Sequence, residues 1–329
     1  FVRQAIEHST AAGCPVLVVD TSGELTESIS NGRLGDENYR LMRVGIHDVG
    51  GYFQRPSLTG AANLAGHVHR LSVPLLGLLG YRTRGFTPEM ALLDALVLHS
   101  WETEPSVSLT QLARLVEKPP LSRLGNFHID AVIDEERRSL LASAILGLRT
   151  TDPPDPSEPL FDFERAWRRH ASAYVIDLGQ RSLEAVRFLA AAALLHLQGF
   201  LEGSPPEVPS QVLIAIIGAD VLAPRHNRVI TTPILKDILG QWAMYGAGCL
   251  LEIRDLAQID ESVLDLVETW VSGGFPVRTT RHQVVAEFDL VNPPIDEAML
   301  ERNLARMEPG QFVVRSRHLP SIAYFQIDR

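Results

Sequence analysis

Acidic side chains stand at the ends of apolar segments in this sequence, where chemistry on phosphate groups is possible. Asp20 ends one apolar run, and Glu24 follows it beyond a turn that contains Gly23. Carboxylates on either side of such a turn can hold a magnesium-bound water or position a phosphate, because Mg²⁺ prefers oxygen ligands. The structural alternative is a turn in which Asp20 only caps the next segment. Asp220, which follows a later apolar run, completes the set of candidate catalytic residues.

Strands that alternate with helices must position these acids. The run at 14–20 has no polar alternation, which predicts a strand buried on both faces, as in a parallel sheet covered by helices. Similar runs at 173–178, 211–217 and 247–253 are separated by helical patterns, and this order predicts βαβ units and an α/β fold. Ligands bind beyond the carboxyl ends of such strands, so we expect the acids to meet at one edge of the sheet.

The remaining pattern divides the chain into a core and an insertion. Residues 64–150 are helical in pattern with no strand signal, and a proline-dense segment follows them. We therefore predict an α/β core formed by residues 1–63 and 151–329, with a helical insertion at 64–150. Helices are expected at 2–10, 87–99, 109–116, 134–148, 182–202, 234–245 and 261–272, a loop at 50–63, and further strands at 41–46, 275–279, 311–315 and 322–326.

The charge balance limits how the protein can contact nucleic acid. The chain has 329 residues and a formal net charge of -10. Such an acidic protein does not bind nucleic acid with its whole surface. A net charge of this size is still compatible with a local basic surface, such as the lining of a pore. Arg225 and Arg228, beyond the run at 211–217, are the candidates for contact with nucleic acid or with a pore. The cluster Arg165–His170 is interpreted as the solvated face of a short helix.

Cysteine usage and hydropathy suggest a cytoplasmic protein. Cys14 and Cys249 lie in apolar runs, where buried reduced thiols are expected rather than a disulfide or a metal site. The longest apolar run, 188–197, has about ten residues and is short of the roughly twenty that cross a bilayer, so we predict a core helix and no membrane partner. The sequence opens in a helical pattern without a signal-like segment, and we expect the natural chain to begin before Phe1.

Four segments, in this order, resemble the HerA/FtsK family of ring-forming, DNA-translocating ATPases. They are Pro15–Leu25, where a strand is followed by Asp, two residues, Gly and Glu, and then Tyr174–Leu178, Ile259–Leu264 and Glu308–Val314. Each segment alone is weakly specific, but their order is specific, and the resemblance extends over nearly the whole chain. The resemblance implies a RecA-like P-loop NTPase core with ATP and Mg²⁺ as cofactors. It also implies a homo- or hetero-oligomeric ring such as a hexamer, with DNA and a nuclease or other effector protein as partners.

Several catalytic positions depart from the pattern of that family. The 329 residues contain no glycine-rich Walker A loop with Lys and Ser or Thr, which would cradle phosphates. Ile217 and Gly218 stand where the resemblance places the two Walker B acids, which order Mg²⁺ and activate water. Ala243 stands where it places an arginine finger, and Arg254 where the family tends to have Thr-Gln. We therefore predict a subunit that hydrolyses ATP weakly or not at all.

Two other interpretations stay open. In the first, the chain is an active ATP-dependent DNA translocase or helicase, with a Walker A loop upstream of Phe1 and with Asp20, Glu24 or Asp220 in the catalytic roles. In the second, it is a Rossmann-type small-molecule enzyme. That class predicts a Gly-x-Gly-x-x-Gly turn opening a helix, and the sequence contains no such turn.

Overall fold

Strands and helices alternate through the computed structural model, which describes residues 1–31, 39–43, 52–56, 61–81, 83, 85, 87–121, 123–124, 127–148, 163, 173–179, 181–203, 212–226, 229–274, 278–289, 296–316, 318 and 322–326. The first elements in chain order are α1 (Val2–Ala11), β1 (Val16–Asp20), α2 (Glu24–Ser30), β2 (Tyr39–Arg43), β3 (Phe53–Gln54), α3 (Ala61–Leu78), α4 (Pro88–Ser100), β4 (Ser106–Val107), α5 (Leu109–Glu117), β5 (Arg123–Leu124), β6 (Phe127–His128), α6 (Ile129–Val132) and α7 (Glu135–Gly147). The later elements are β7 (Ala173–Asp177), α8 (Leu183–Gly203), β8 (Val212–Ile217), α9 (Ala219–Leu222), α10 (Thr231–Trp242), β9 (Ala247–Leu251), α11 (Glu261–Leu264), β10 (Thr269–Gly273), α12 (Arg278–Asp289), α13 (Glu297–Arg306), β11 (Gln311–Ser316) and β12 (Ala323–Gln326).

In the part of the chain that the structure describes, five parallel strands form the central sheet, in the order β2-β7-β1-β8-β9. Every residue of β1 is buried, and β7 and β8 are buried except at their second residues. A strand that is buried on both faces needs apolar side chains at successive residues. The sequences of these strands therefore lack polar alternation. The predicted parallel sheet is confirmed, with β2 beginning two residues earlier than expected.

Helices cover both faces of this sheet. On one face, Ile6 of α1 and Leu25 and Ile29 of α2 pack against Val16 and Val18 of β1. On the other face, the alternate residues of β1 join a larger core that includes α3, α8 and α10. Burial of these apolar side chains supplies the main stabilising free energy of the core.

The helix α8 is 21 residues long, about twice the length of the apolar run that predicted it. By length and composition it could span a membrane, but 78% of its most apolar stretch is buried inside the fold. It packs against α3 and α10. This burial agrees with the predicted core helix.

The predicted insertion helices are present in the structure. Thr87 caps α4 by accepting a hydrogen bond from Met90 N, with Pro88 as the first helical residue. Ser108 and Gln111 form a reciprocal capping box at α5, and Asp134 caps α7. The expectation of no strands here is wrong, because β3 pairs with β4 and β5 with β6 in two short antiparallel ladders.

The C-terminal part of the chain forms a second, antiparallel sheet in the order β10-β11-β12. The strands predicted at 311–315 and 322–326 are confirmed as β11 and β12, which pair antiparallel. The helix predicted at 261–272 is wrong, because α11 stops at Leu264 and Thr269–Gly273 pair with β11 as a strand. The strand predicted at 275–279 is also wrong at residues 278–279, which begin α12, and its residues 275–277 lie outside the described part.

The two cysteines are less buried than expected. Cys14 is half-buried, and Cys249 is exposed. The prediction of two buried thiols is therefore wrong. For Cys249 the physical reason is that, within the described residues, β9 is the last strand of the parallel sheet and has a neighbour on one side only.

Candidate functional site

The carboxyl ends of the parallel strands meet at one rim of the central sheet. Asp20, the last residue of β1, lies between Asp177 of β7 and Ile217 of β8 in the strand register. The connections that follow these strands therefore start side by side. This arrangement confirms that the segments after the apolar runs converge, as expected for an open α/β sheet.

Asp20 is fully buried, and both of its carboxylate oxygens are engaged within the turn after β1. Oδ1 accepts hydrogen bonds from Ser22 N at 3.1 Å, Ser22 Oγ at 2.9 Å and Gly23 N at 2.9 Å. Oδ2 accepts from Thr26 N at 3.0 Å and Thr26 Oγ1 at 3.2 Å. Asp20 thus connects the turn after β1 to the first turn of α2 through hydrogen bonds. This is the capping role that the structural alternative predicts. Its proposed catalytic role remains a prediction.

The end of β8 has little space for polar side chains. Ile217 is 3% exposed and packs in the core on the side of α1 and α2. Gly218 has a φ of 72°, and a Cβ built there would lie 2.5 Å from Thr21 Oγ1. That hydroxyl donates a hydrogen bond to the carbonyl of Ile217 at 2.7 Å. Gly218 stands where the family resemblance places the second Walker B acid. The turn after β1 therefore leaves no space for a side chain at this position.

Charged groups gather on the solvent side of the same rim. The guanidinium of Arg254 is 2.8 Å from Glu24 Oε1, and the Arg254 backbone N–H donates to Asp220 Oδ1 at 3.4 Å. Burial raises the pKa of Glu252, and the charges of Glu24 and Asp20 raise it further, whereas Arg254 lowers it. The candidate acids Glu24 and Asp220 are thus brought together, with Arg254 between them.

Two members of this cluster were not among the candidate catalytic residues. Glu252 directly follows β9, so the rule that singled out Asp20 and Asp220 could also have found it. In the sequence, Arg254 stands out only because the resembled family tends to have Thr-Gln there. Its pairing with Glu24 joins segments 230 positions apart (254 − 24), and a single sequence gives no signal for that contact.

The other candidates lie away from this cluster. Ala243 begins a short 3-10 helix that leads into the amino end of β9, at the opposite end of that strand from Glu252. The guanidinium of Arg225 forms an ion pair with Glu261, and its backbone N–H donates to Gln258 O at 2.7 Å. Arg228 lies outside the described residues.

The described groups do not fit a magnesium–nucleotide site. Both oxygens of Asp20 are engaged, Glu24 is paired with Arg254, and the side chain of Ile217 has no oxygen to offer a metal. Among the residues that the structure describes, no three His, Cys, Asp or Glu side chains form a group that could hold a metal ion. This rim would need further ligands to bind Mg²⁺ with several oxygens.

A groove runs beside the rim, between the outer edge of β9 and the antiparallel sheet. It has a volume of about 860 Å³ and is lined by Glu24, Glu252 and Arg254 at the rim. Phe1 also lines it, with its ring centroid 6.0 Å from that of Phe312. The groove thus joins the charged cluster to the amino end of α1.

The parallel sheet, the helices on both of its faces and the small antiparallel sheet define an α/β protein with a RecA-like core. Solved structures share this fold. VirB4 of Thermoanaerobacter pseudethanolicus is similar with a TM-score of 0.64 and 13% identity, over 100% of this chain and 85% of VirB4. The bacterial conjugative coupling protein TrwB, lacking its first 70 residues, is similar with a TM-score of 0.55 and 13% identity, over 95% of this chain and 85% of that one.

A second structure of TrwB was determined in complex with the ATP analogue ADPNP. It is similar to this chain with a TM-score of 0.51 and 13% identity, over 97% of this chain and 86% of that one. No protein-family model matches the sequence, and no curated protein matches it. At these identities the comparisons establish the fold alone.

Proposed function

We propose that this chain is a subunit of a ring-forming, DNA-processing assembly and that it hydrolyses ATP weakly or not at all. The end of β8 is the observation that carries this proposal. Ile217 is an apolar residue beside Asp20, and Gly218 is closed by Thr21. A P-loop ATPase needs carboxylates in this region to order Mg²⁺ and to activate the attacking water, and neither residue supplies one.

The charged cluster supports the same proposal. Glu24 already has a cationic partner in Arg254, so it is not a free ligand for a metal. The pair is partly exposed, with side-chain exposures of 42% for Arg254 and 66% for Glu24, and contributes at most about 1 kcal/mol to stability. Its importance lies in charge balance, because Arg254 contacts the carboxylates of both Glu24 and Asp220.

Ring assembly and contact with DNA are proposed from the HerA/FtsK resemblance, and the shared fold with VirB4 and TrwB is compatible with them. A nuclease or other effector is proposed as a partner on the same ground. Arg225 and Arg228 remain the proposed contacts with nucleic acid. A phosphate that reaches Arg225 must compete with Glu261, so this contact should be weak and sensitive to salt.

ATP hydrolysis by the purified protein, with and without DNA, tests the proposal. We expect a rate that equals the protein-free blank or exceeds it only slightly. Active enzymes typically turn over at about 1 s⁻¹ or faster, and such a rate would favour the active translocase over our proposal. The rate should be measured at several protein concentrations, because ring assembly depends on concentration.

Substitutions at Ile217 separate the chemistry of this position from its packing. I217E adds a carboxylate, and I217Q adds a side chain of similar shape without the charge. If a missing carboxylate limits hydrolysis, I217E gains turnover and I217Q does not. Both variants place a polar group in the core, so circular dichroism and thermal melting must show that they fold. Equal rates for I217E, I217Q and the unmodified protein would show that this residue does not limit hydrolysis.

A further inference from the structure

Two histidines from different parts of the fold meet in the interior of the protein. His67 belongs to α3 of the insertion, and His196 belongs to α8 of the α/β core. Their ring centroids are 6.1 Å apart. Among the described elements, the most extensive contact between the insertion and the core is that of α3 with α8. The two rings therefore lie where the insertion is held on the core.

The ring of His67 is enclosed by tight packing. A Cβ built on Gly199 of α8 would lie 2.4 Å from His67 Cε1 and 2.9 Å from His67 Nδ1. The indole of Trp101, which directly follows α4, stacks on the same ring at an interplanar angle of 26°. Glycine at residue 199 permits this close approach, because a larger residue would occupy the space of the imidazole ring. The packing depends on α3, α4 and α8 staying together.

This position suits a neutral imidazole and opposes a charged one. Both ring nitrogens of His67 are buried, and neither has a hydrogen-bond partner among the described residues. Burial lowers the pKa of His67, and the charges of His196 from α8 and of Arg70 from its own helix lower it further. A proton on His67 would therefore be a buried charge next to one cation and one group that can become a cation.

Hydrogen bonds around the two rings connect the same elements. His196 Nε2–H donates to the carbonyl of Tyr52 at 2.7 Å, and the Tyr52 hydroxyl donates to Leu71 O of α3 at 2.9 Å. The indole N–H of Trp101 donates to Phe53 O at 2.9 Å. Burial raises the pKa of Tyr52, so its phenol stays neutral in mild acid. The segment at β3 thus links α8 to α3 and to the end of α4.

The contact between α3 and α8 also contains groups that water can solvate. The guanidinium of Arg70 binds both carboxylate oxygens of Glu202, at 3.0 and 2.8 Å. This pair is partly exposed, with side-chain exposures of 34% for Arg70 and 17% for Glu202. If the helices separate, water can solvate the ion pair and both imidazole rings. An opening at this contact therefore costs less than an opening between wholly apolar surfaces.

We propose that Tyr52, His67, Trp101 and His196 form an acid-sensitive latch between the insertion and the core. Neutral histidines keep the latch closed, and protonation releases α3 from α8 while the parallel sheet stays folded. Release places both rings in water, which solvates their charged forms. The insertion can then move on the core as a local opening rather than by global unfolding. The proposal does not depend on whether the protein hydrolyses ATP.

One carboxyl group beside the latch acts in the opposite direction. Asp94 of α4 accepts a hydrogen bond from Ser72 Oγ at 2.7 Å and lies 2.9 Å from His69 Nδ1, so it contacts α3 but not the ring of His67. Burial raises the pKa of Asp94. A raised pKa in the closed state means that protonation of Asp94 favours closure as the pH falls. A test of the latch must therefore separate His67 from Asp94.

Hydrogen exchange of the unmodified protein, followed by mass spectrometry, tests the latch. Protection of the α3 amides at pH 7 and pH 5, corrected for the intrinsic exchange rate at each pH, reports the open fraction. Each histidine that regains an ordinary pKa of 6.5 on opening raises this fraction by about 20-fold between the two pH values. We expect α3 protection to fall by about 20-fold if one ring is released and by about 400-fold if both are released. About 1 M urea should change α3 protection less than that of β1, because a local opening exposes less surface than global unfolding.

H67F identifies the group that takes up the proton. It removes one titrating ring and leaves Asp94 in place, so the fall in α3 protection should be about 20-fold smaller than in the unmodified protein. The matched control is H128Q, which removes an exposed histidine of the same insertion and should leave the fall unchanged.

Three results would overturn the proposal. The first is a fall in α3 protection of less than about tenfold between pH 7 and pH 5, which is too small for the release of even one histidine. The second is equal urea dependence of α3 and β1 at pH 5, which would mean that the insertion and the core unfold together. The third is an equal fall in H67F and in the unmodified protein. The first two measurements need no variant, so they test the latch even if H67F does not fold.

Discussion

Gly218 lies against the hydroxyl of Thr21, so closely that a Cβ at residue 218 would be 2.5 Å from Thr21 Oγ1. The backbone of Gly218 is also left-handed, with a φ of 72°. Both features favour glycine, because a side chain would meet the turn after β1 and because other residues pay about 1–2 kcal/mol in this conformation. The contact joins the ends of β1 and β8, and it leaves no room for an acid at residue 218.

Replacing Gly218 with alanine should destabilise the protein by about 2–4 kcal/mol. Roughly 1–2 kcal/mol of this comes from the left-handed backbone, and the remainder from displacing Thr21. The matched control is G80A, since Gly80 has a φ of 79° and nothing within 4 Å of a built Cβ. Chemical denaturation should show the smaller backbone cost alone for G80A. Equal losses in the two variants would contradict the steric role of Thr21.

Asp20 should contribute more to stability than an ordinary turn aspartate. In D20N an NH₂ group, which cannot accept hydrogen bonds, replaces one carboxylate oxygen. If it replaces Oδ1, Ser22 and Gly23 lose their acceptor, and if it replaces Oδ2, Thr26 loses its acceptor. We expect a loss of about 3 kcal/mol in the free energy of unfolding, because buried donors lose their partners. The control is D255N, since Asp255 is exposed and accepts one hydrogen bond, from Ala257 N at 2.9 Å. A loss in D20N no larger than in D255N would show that the turn does not depend on the carboxylate.

The charges around Glu252 should shift its pKa in opposite directions when they are removed. R254Q removes the positive charge that lowers this pKa, so the pKa should rise above its already raised value. E24Q removes a negative charge that raises it, so the pKa should fall. Carboxyl ¹³C shifts followed over a pH titration measure both changes. R225Q is the control, because Arg225 pairs with Glu261 instead and the Glu252 titration should not change.

The parallel sheet was predictable because its strands are uniformly apolar, and burial on both faces is the physical cause of that pattern. The strand β10 was not predictable in the same way. Thr269–Gly273 mixes polar and apolar residues after a helical pattern, and pairing with β11 fixes it as a strand, with Val271 opposite Val314. Tertiary pairing overrides local preference at such a segment.

The rim of the sheet was predictable as a place, but the contacts within it were not. The residues after the strands were identified from the rule that ligands bind beyond carboxyl ends. The hydrogen bonds of Asp20 and the pairing of Glu24 with Arg254 depend on how distant turns meet. The same holds for Gly218, whose left-handed backbone and contact with Thr21 appear only in three dimensions.

Two buried histidines should make stability sensitive to mild acid. Burial lowers the pKa of His67 to about 3 and that of His196 to about 4, from an ordinary value of 6.5. His67 is 1% exposed, and neither ring nitrogen has a hydrogen-bond partner among the described residues, so the folded state has no means of stabilising its charged form. His196 donates a hydrogen bond from Nε2–H to the backbone carbonyl of Tyr52 at 2.7 Å, which a neutral ring can also do.

The lowered pKa values of His67 and His196 determine whether acid stabilises or destabilises the folded protein. Below pH 6.5 the unfolded chain binds protons at both histidines, whereas the folded chain does not until about pH 4. The histidine contribution to stability is therefore complete above pH 6.5 and is lost as the pH falls, at roughly 1.4 kcal/mol per pH unit for each histidine. Urea denaturation between pH 7 and 4.5 measures this slope.

Substitution of His67 separates the histidine effect from acid titration of the carboxylates. H67F keeps an aromatic ring beside Trp101, whose ring centroid is 6.3 Å from that of His67, and removes one titrating group. The slope of stability against pH should then fall by roughly 1.4 kcal/mol per pH unit below pH 6. H226Q removes an exposed histidine and should leave the slope as it is in the unmodified protein. An unchanged slope in H67F would mean that His67 takes up its proton without unfolding, for example because water reaches its ring.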